Sequence, residues 1–384
     1  MTEDILYLDA AASARPIKAA VDEAARIAME DYANPGAIHG FGDSCNRLIE
    51  KARKRILNLL VGENASQFDC IFTSGATEGN NLAILGAARA NSSYSKRIVT
   101  TGVEHDSVSK VVEMLKGEGF TVDILPVNAD GSIPSEAIES ALSQPACLFT
   151  VISVSNQNGA LLPVEDLARK VKKALPRAVF HTDATQAIGK VKLDWSLFDL
   201  VTFSGHKIGG LRGTGALIKR KKTRLDPPEV GGGQELGLRS GTLNTPGDCA
   251  LATALEESYR TLNQRRKNAE EFKAAVLEGI QGLDEVVNLS PSGVPFVTAL
   301  GLKTRKASTV VQYLSSLGIY ISTTSACDVR KDEPNRILRS MGFESHVADN
   351  PLRISISGET EGREEGERFA KALREAVAKL RPER

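Results

Sequence analysis

Short apolar runs alternate with stretches of helical periodicity over the first two thirds of the chain. CIFT (70–73), RIVTTG (97–102), FTVDILPV (120–127), CLFTVISVS (147–155), AVFHTD (178–183), DLVTFS (199–204) and GALI (215–218) read as strands. Between them, the stretch entered through SGATEGNN, residues 106–116, a segment starting near Pro134, and VEDLARKVKKAL read as helices. Strands separated by helices at this spacing build βαβ units and a largely parallel sheet, so the fold class is α/β. After Pro246 the pattern changes. Residues 248–281 read as one long helical stretch, followed by short strands (PFVTALGL, LRISIS) and helices (KASTVVQYLSSLG, EEGERFAKALREAVAKL). This predicts a large domain over 14–258 and a smaller α+β domain formed by 1–13 and 259–384.

Composition narrows the class without naming it. The chain has 384 residues, with 41% hydrophobic and 25% charged, as in water-soluble globular proteins. Lys plus Arg and Asp plus Glu both number 48, so no net positive charge points to nucleic acid. MTEDILYLDA is acidic and too short in apolar length for a signal peptide, and no apolar run approaches a membrane span. Cytoplasmic location is the expectation. The five cysteines (45, 70, 147, 249 and 327) show no C-x-x-C and no zinc spacing with histidine. No resident metal site is expected. Cys70 and Cys147 sit in apolar runs and read as small core residues. Cys327, in SACDVRKDEPNR, lies in polar sequence.

The unusual polar residues share one property: each follows the C-terminal end of a predicted strand. Ser74-Gly75-Ala76-Thr77 follows the run at 70, His105 that at 97, and Asn156 that at 147. Asp183 and Gln186 follow the run at 178, and Ser204, His206 and Lys207 that at 199. In open α/β sheets the ligand crevice lies along that edge. SGATEGN at a helix start offers backbone N–H groups and hydroxyls to an anion. Any one of these pieces alone is ordinary: a helix cap, a structural histidine, a solvated lysine. Together, an anion site, an acid and a lysine at a strand end are what pyridoxal phosphate requires. Its phosphate takes the helix terminus, its pyridinium nitrogen a carboxylate, and its aldehyde a lysine amine. Glycines after Lys207 leave room for a flat ring.

With these residues, the chain resembles the cysteine desulfurases of the fold-type-I pyridoxal phosphate enzymes. The resemblance covers nearly its full length. It rests, in order, on YLDAAAS (7–13), NPGAIHG (34–40), FTSGATEGNNLAI (72–84), EH (104–105), HTDATQAIGK (181–190), SGHK (204–207), GGGQELGLRSGTLNTP (231–246), TSAC (324–327) and LRISIS (352–357). It implies a large domain built on a mainly parallel seven-stranded sheet. The cysteine segment lacks a preceding histidine, which resembles the NifS- and IscS-like group. Asp328, and Leu211-Arg212 after the SGHK turn, depart from that group's usual residues.

The resemblance implies roles for matching positions. Lys207 would hold the cofactor as a Schiff base and later move the substrate's α-proton. Asp183 would face the pyridinium nitrogen, Gln186 or Asn156 the phenolic oxygen, and His105 would stack on the ring. Thr77, Ser204 and His206, with the Ala76 amide, would hold the phosphate. Thr242 would reach the phosphate of a neighbouring subunit, making a homodimer with shared sites. Arg353 would bind the substrate carboxylate, with Asn34 and Asn156 nearby. Cys327, on a loop of about 322–336, would take sulfur from L-cysteine as a persulfide, leaving L-alanine. The sulfur would pass to an acceptor protein, an iron–sulfur scaffold among the candidates, with Cys327 as a transient cluster ligand. The alternative on the same residues is a pyridoxal phosphate-dependent cysteine or selenocysteine lyase that does not use Cys327.

Overall fold

The computed structural model describes residues 5–323 and 334–382. Cys327 and most of the segment around it therefore lie outside the described residues. β1 (Leu6–Tyr7) is followed by two helices, α1 (Lys18–Glu30) and α2 (Gly40–Val61). The alternation of strands and helices does not announce these two. Both are amphipathic, and α2 buries Cys45, Ile49, Ala52, Ile56 and Leu60 at helical spacing.

The large sheet follows strand by strand: β2 (Phe68–Thr73), β3 (Arg97–Thr101), β4 (Thr121–Leu125), β5 (Leu148–Thr150), β6 (Val179–Asp183), β7 (Leu200–Ser204) and β8 (Gly215–Arg220). The helices α3 (Ala76–Ala90), α4 (Asp106–Gly117), α5 (Ser135–Leu142) and α6 (Val164–Ala174) lie between them in sequence. Every run read as a strand in this region enters the sheet, in the order β2-β8-β7-β6-β5-β3-β4. β8 runs antiparallel to both neighbours, and the remaining pairs are parallel. β3, β5, β6 and β7 are buried throughout, as expected for parallel strands covered on both faces. Edge strand β4 is open to solvent except at Leu125, and its Asp123 pairs with Arg97 of β3 at 2.6 Å.

The run 147–155 is longer than the strand it forms. The strand itself is 148–150; beyond it Val151 and Ser153 still donate to the His181 and Asp183 carbonyls of β6, but the Ile152 N–H goes to Glu104 Oε1 and Val154 bridges Leu161. The expected single helix over 248–281 is two: α7 (Thr245–Arg260) and α8 (Leu262–Gly279). The break falls at Thr261, whose hydroxyl donates back to the Glu257 carbonyl at 2.8 Å, a bond that bends helices.

The C-terminal third adds β9 (Val286–Asn288), β10 (Val297–Leu302), α9 (Ala307–Ser316), β11 (Ile319–Tyr320), α10 (Arg336–Ser340), α11 (Ser345–Ala348), β12 (Pro351–Ser355) and α12 (Arg363–Lys379). β12, β10 and β9 form an antiparallel sheet, and β1 pairs in parallel with β11. Asp9 bridges Ser355, which brings the first described residues against β12. No helix among the described residues is long and apolar enough to cross a membrane.

Candidate active site

The large sheet presents β2, β3, β5, β6 and β7 with their C-terminal ends on one edge. Strand order changes direction between β3 and β5, the kind of point where ligand crevices open. A cavity of about 500 Å³ lies there. Ala76, Thr77, His105, Asn156, Asp183, Gln186, Ser204, His206, Lys207 and Arg353 all line it. Ten positions named from scattered motifs thus share one wall.

Each wall has a local cause. α3 begins at Ala76, directly after β2, and points its N-terminal amides at the cavity rim beside Ser74 and Thr77. The approach is close: a Cβ on Gly215 would sit 2.7 Å from the Gly75 Cα, so the turn into α3 and the start of β8 need glycine. Glu78 accepts the Ser74 N–H at 2.6 Å and the Arg239 Nε–H at 2.8 Å, which ties the RSGT segment to this rim.

Asp183, the last residue of β6, is buried. Its Oδ2 accepts from Asn80 Nδ2 at 2.8 Å and its Oδ1 from the Thr185 N–H at 3.0 Å. Lys207 follows β7, and its Nζ donates to the carbonyls of Ala11 (2.7 Å) and Ala12 (2.6 Å) in the N-terminal segment. Gln186 Nε2 donates to the same Ala11 carbonyl at 3.0 Å, while its Oε1 accepts from the buried Lys190 Nζ at 2.6 Å. Burial, with Lys207, Arg265 and Arg353 nearby, pushes Lys190 down to about 7. His206 is pushed down to about 4, first by burial and then by Lys207, Arg212 and Lys190. It is therefore neutral near pH 7.

Arg353 enters from β12. Its Nη2 pairs with Asp9 Oδ1 at 3.0 Å and its Nη1 donates to the Asn156 carbonyl at 3.3 Å. Its Nε is buried without a partner, as are Asn156 Oδ1 and Thr185 Oγ1, all on residues that line the cavity. Unmet buried polar atoms are costly, and their convergence on one cavity fits a bound polar molecule. An anion rim, a buried carboxylate and an amine on one cavity are the groups that pyridoxal phosphate needs.

Asn34 and Thr242 lie elsewhere. Within one chain they line a second cavity of about 350 Å³, with Arg53, Gln234 and Glu235. The four described cysteines (45, 70, 147 and 249) are all buried. Burial pushes the thiols of Cys147 and Cys249 up to about 12, and that of Cys70 higher still. Thiolate chemistry is suppressed at these three.

Further polar residues stand behind the wall. Asn80, Ser107, His181 and Thr202 form a hydrogen-bonded chain beneath Asp183 and His105. Glu104 is fully buried. It accepts from Thr101 Oγ1 at 2.6 Å, and burial, reinforced by Asp183, pushes it up to about 8. Asn80, Glu104 and His181 stand inside quoted motifs and Thr202 inside a predicted strand, but nothing in those stretches separates Asn80 and Thr202 from ordinary helix and strand residues.

The fold and site define a class of enzyme scaffold, and the chain belongs to it: residues 6–360 match the aminotransferase class-V family. Within that family its similarities are to cysteine desulfurases. It is 33% identical over 377 residues to a NifS/IcsS protein homolog of Lactobacillus delbrueckii subsp. bulgaricus, covering 97% of each. It is 34% identical to the mitochondrial cysteine desulfurase of Drosophila melanogaster, covering 91% of this chain and 76% of that one. A solved NifS-like protein superposes with a TM-score of 0.89 at 31% identity, covering 98% of this chain and all of that one.

Proposed function

We propose that the chain is a pyridoxal phosphate-dependent cysteine desulfurase, which converts L-cysteine to L-alanine and takes the sulfur as a persulfide on Cys327. One observation carries the reading. A single cavity brings together a helix N-terminus, the buried Asp183 carboxylate, the Lys207 amine and an arginine with an unmet Nε–H.

When bound, pyridoxal phosphate supplies an electron sink that labilises bonds at the substrate's α-carbon. The α3 amides with Thr77, Ser204 and neutral His206 would hold its phosphate. Asp183 would pair with its pyridinium nitrogen. Lys207 would hold the group covalently and would move a proton at the substrate's α-carbon. Arg353 and Asn156 seat the substrate carboxylate, for which a guanidinium fork has matching geometry. The Cys327 thiolate attacks the substrate sulfur, so that an S–S bond forms as the C–S bond breaks. The buried state of the other four cysteines supports Cys327 in this role.

A second copy completes the site. Asn34 and Thr242 border a cavity of their own, and Tyr32, Ile38, Val230 and Leu236 in the neighbouring segments are strongly exposed. A homodimer would cover these side chains and bring Thr242 to the neighbour's phosphate and Asn34 towards its substrate. Sulfur then passes to an acceptor protein, with an iron–sulfur cluster scaffold as the first candidate, in the cytoplasm.

The test is alanine release from L-cysteine by protein loaded with pyridoxal phosphate. Without reductant, release should stop after about one alanine per site, because the persulfide is not discharged. Dithiothreitol should restore turnover. Sustained turnover with no added thiol, at L-cysteine no more than a few equivalents per site so that the substrate does not itself discharge the persulfide, would contradict the persulfide step.

A further inference from the structure

The buried chain behind the cavity wall has a determinate hydrogen-bond direction, and its two ends are residues of the site. Asn80 Nδ2 lies 2.8 Å from Asp183 Oδ2 and 2.9 Å from Ser107 Oγ, and Asn80 Oδ1 lies 2.6 Å from Thr202 Oγ1. An ionised carboxylate only accepts, so it fixes which end of the amide faces it. The Thr202 hydroxyl must then donate to Asn80 Oδ1. His181 Nε2, 2.5 Å from Thr202 Oγ1, must be the protonated nitrogen. His181 Nδ1, 2.8 Å from Thr150 Oγ1, is left to accept. The imidazole is neutral, since burial pushes it down to about 4.

On the other side, Ser107 Oγ accepts the second amide proton of Asn80. Its own proton then goes to His105 Nδ1, at 2.8 Å. The Ser107 backbone N–H, which can only donate, also points at that nitrogen at 3.1 Å. Both donors require His105 to carry its proton on Nε2.

We infer that Asn80 is a positioning residue that couples Asp183 to His181, so that the charge on Asp183 sets the tautomer of that ring, while the Ser107 backbone N–H holds His105 in the same Nε2–H form. The inference rests on the proposed roles of Asp183 and His105. It adds that His105 in the resting site can give a proton or hydrogen bond through Nε2 but cannot accept one there. Asp183 is in turn held by a donor that cannot ionise.

The test is nitrogen-15 NMR of ring-labelled histidines in protein loaded with pyridoxal phosphate, with resonances assigned through His105→Gln and His181→Gln. Both rings should be neutral with the proton on Nε2. Thr202→Val, a near-isosteric change, should switch His181 to the Nδ1–H form, donating to Thr150, and leave His105 unchanged. Asn80→Leu should let His181 populate two tautomers, leave His105 in the Nε2–H form held by the Ser107 N–H, and shift the pH titration of the cofactor's visible band. An Nδ1–H form of either ring in the wild type would overturn the inference. So would an unchanged His181 in Thr202→Val, which stands even if Asn80→Leu does not fold. If the protein takes up no pyridoxal phosphate, the proposed function fails, while the tautomers remain measurable and test the coupling separately.

Discussion

Ser322 and Arg353 pair through their backbones in both directions: the Arg353 N–H donates to the Ser322 carbonyl at 2.7 Å, and the Ser322 N–H to the Arg353 carbonyl at 3.2 Å. The chain leading to Cys327 is thus fastened to the residue proposed to hold the substrate's carboxylate. On the far side of that segment, Arg336 donates to the carbonyls of Gly102 and Glu104, both at 2.8 Å, next to His105. One end of the cysteine segment is anchored to Arg353 in the cavity wall and the other to the backbone just before His105.

Arg353 is the first residue to alter. Arg353→Lys keeps a positive charge but loses the planar fork and the unmet Nε–H. KM for L-cysteine should rise at least about tenfold, or about 1.4 kcal/mol, with a smaller effect on kcat. Steady-state kinetics decide it. An unchanged KM would remove Arg353 from substrate binding.

Lys207 is expected to carry the cofactor. Borohydride reduction of loaded protein, followed by peptide mass spectrometry, should find the pyridoxyl group on the Lys207 peptide. The competing amine is Lys190, buried nearby and pushed down to about 7, so that it is partly unprotonated at neutral pH. Its Nζ is engaged by Gln186, and it should remain unlabelled. In Lys207→Ala the visible band should be lost on dialysis.

Glu104 should make the folded state pH-dependent. Its folded pKa is about 8, above the usual carboxylate value, so the folded protein binds the proton more tightly than the unfolded chain. Stability should therefore fall as pH rises from about 4.5 to about 8, by on the order of 1 kcal/mol per unit from this group. Buried Asp248, also pushed up to about 8, acts in the same sense. Lys190 acts oppositely between about 7 and the ordinary lysine range. Glu104→Gln isolates the carboxyl. Its denaturation midpoint should decline less than the wild type's between pH 5 and 7, and an equal decline would exclude Glu104.

The seven strands of the large sheet and ten of the site positions were legible because they obey local rules. Strands buried on both faces read as apolar runs, and site residues follow the strands that aim them. What could not be read depends on partners distant in sequence. Asn80 acquires its role only because α3 packs on β7 closely enough to meet Thr202, and nothing in TEGNNLAI states that distance. The break at Thr261 depends on one hydroxyl, which an Ala- and Glu-rich helical pattern hides.

That close packing has its own test. A Cβ at Gly79 would lie 2.3 Å from the Thr202 methyl. Gly79→Ala should cost about 1–3 kcal/mol by overpacking, despite alanine's higher helix propensity, as read by chemical denaturation. No loss of stability would mean that α3 stands off the sheet.

In the proposed reaction Cys327 takes the sulfur. The most direct measurement is alanine formation from L-cysteine by wild-type protein and by Cys327→Ala, both loaded with pyridoxal phosphate and supplied with dithiothreitol. Both should be yellow, because Lys207 is intact in each, and only the wild type should make alanine catalytically. Equal rates would exclude Cys327 as the sulfur acceptor and leave a lyase that releases sulfur without this cysteine.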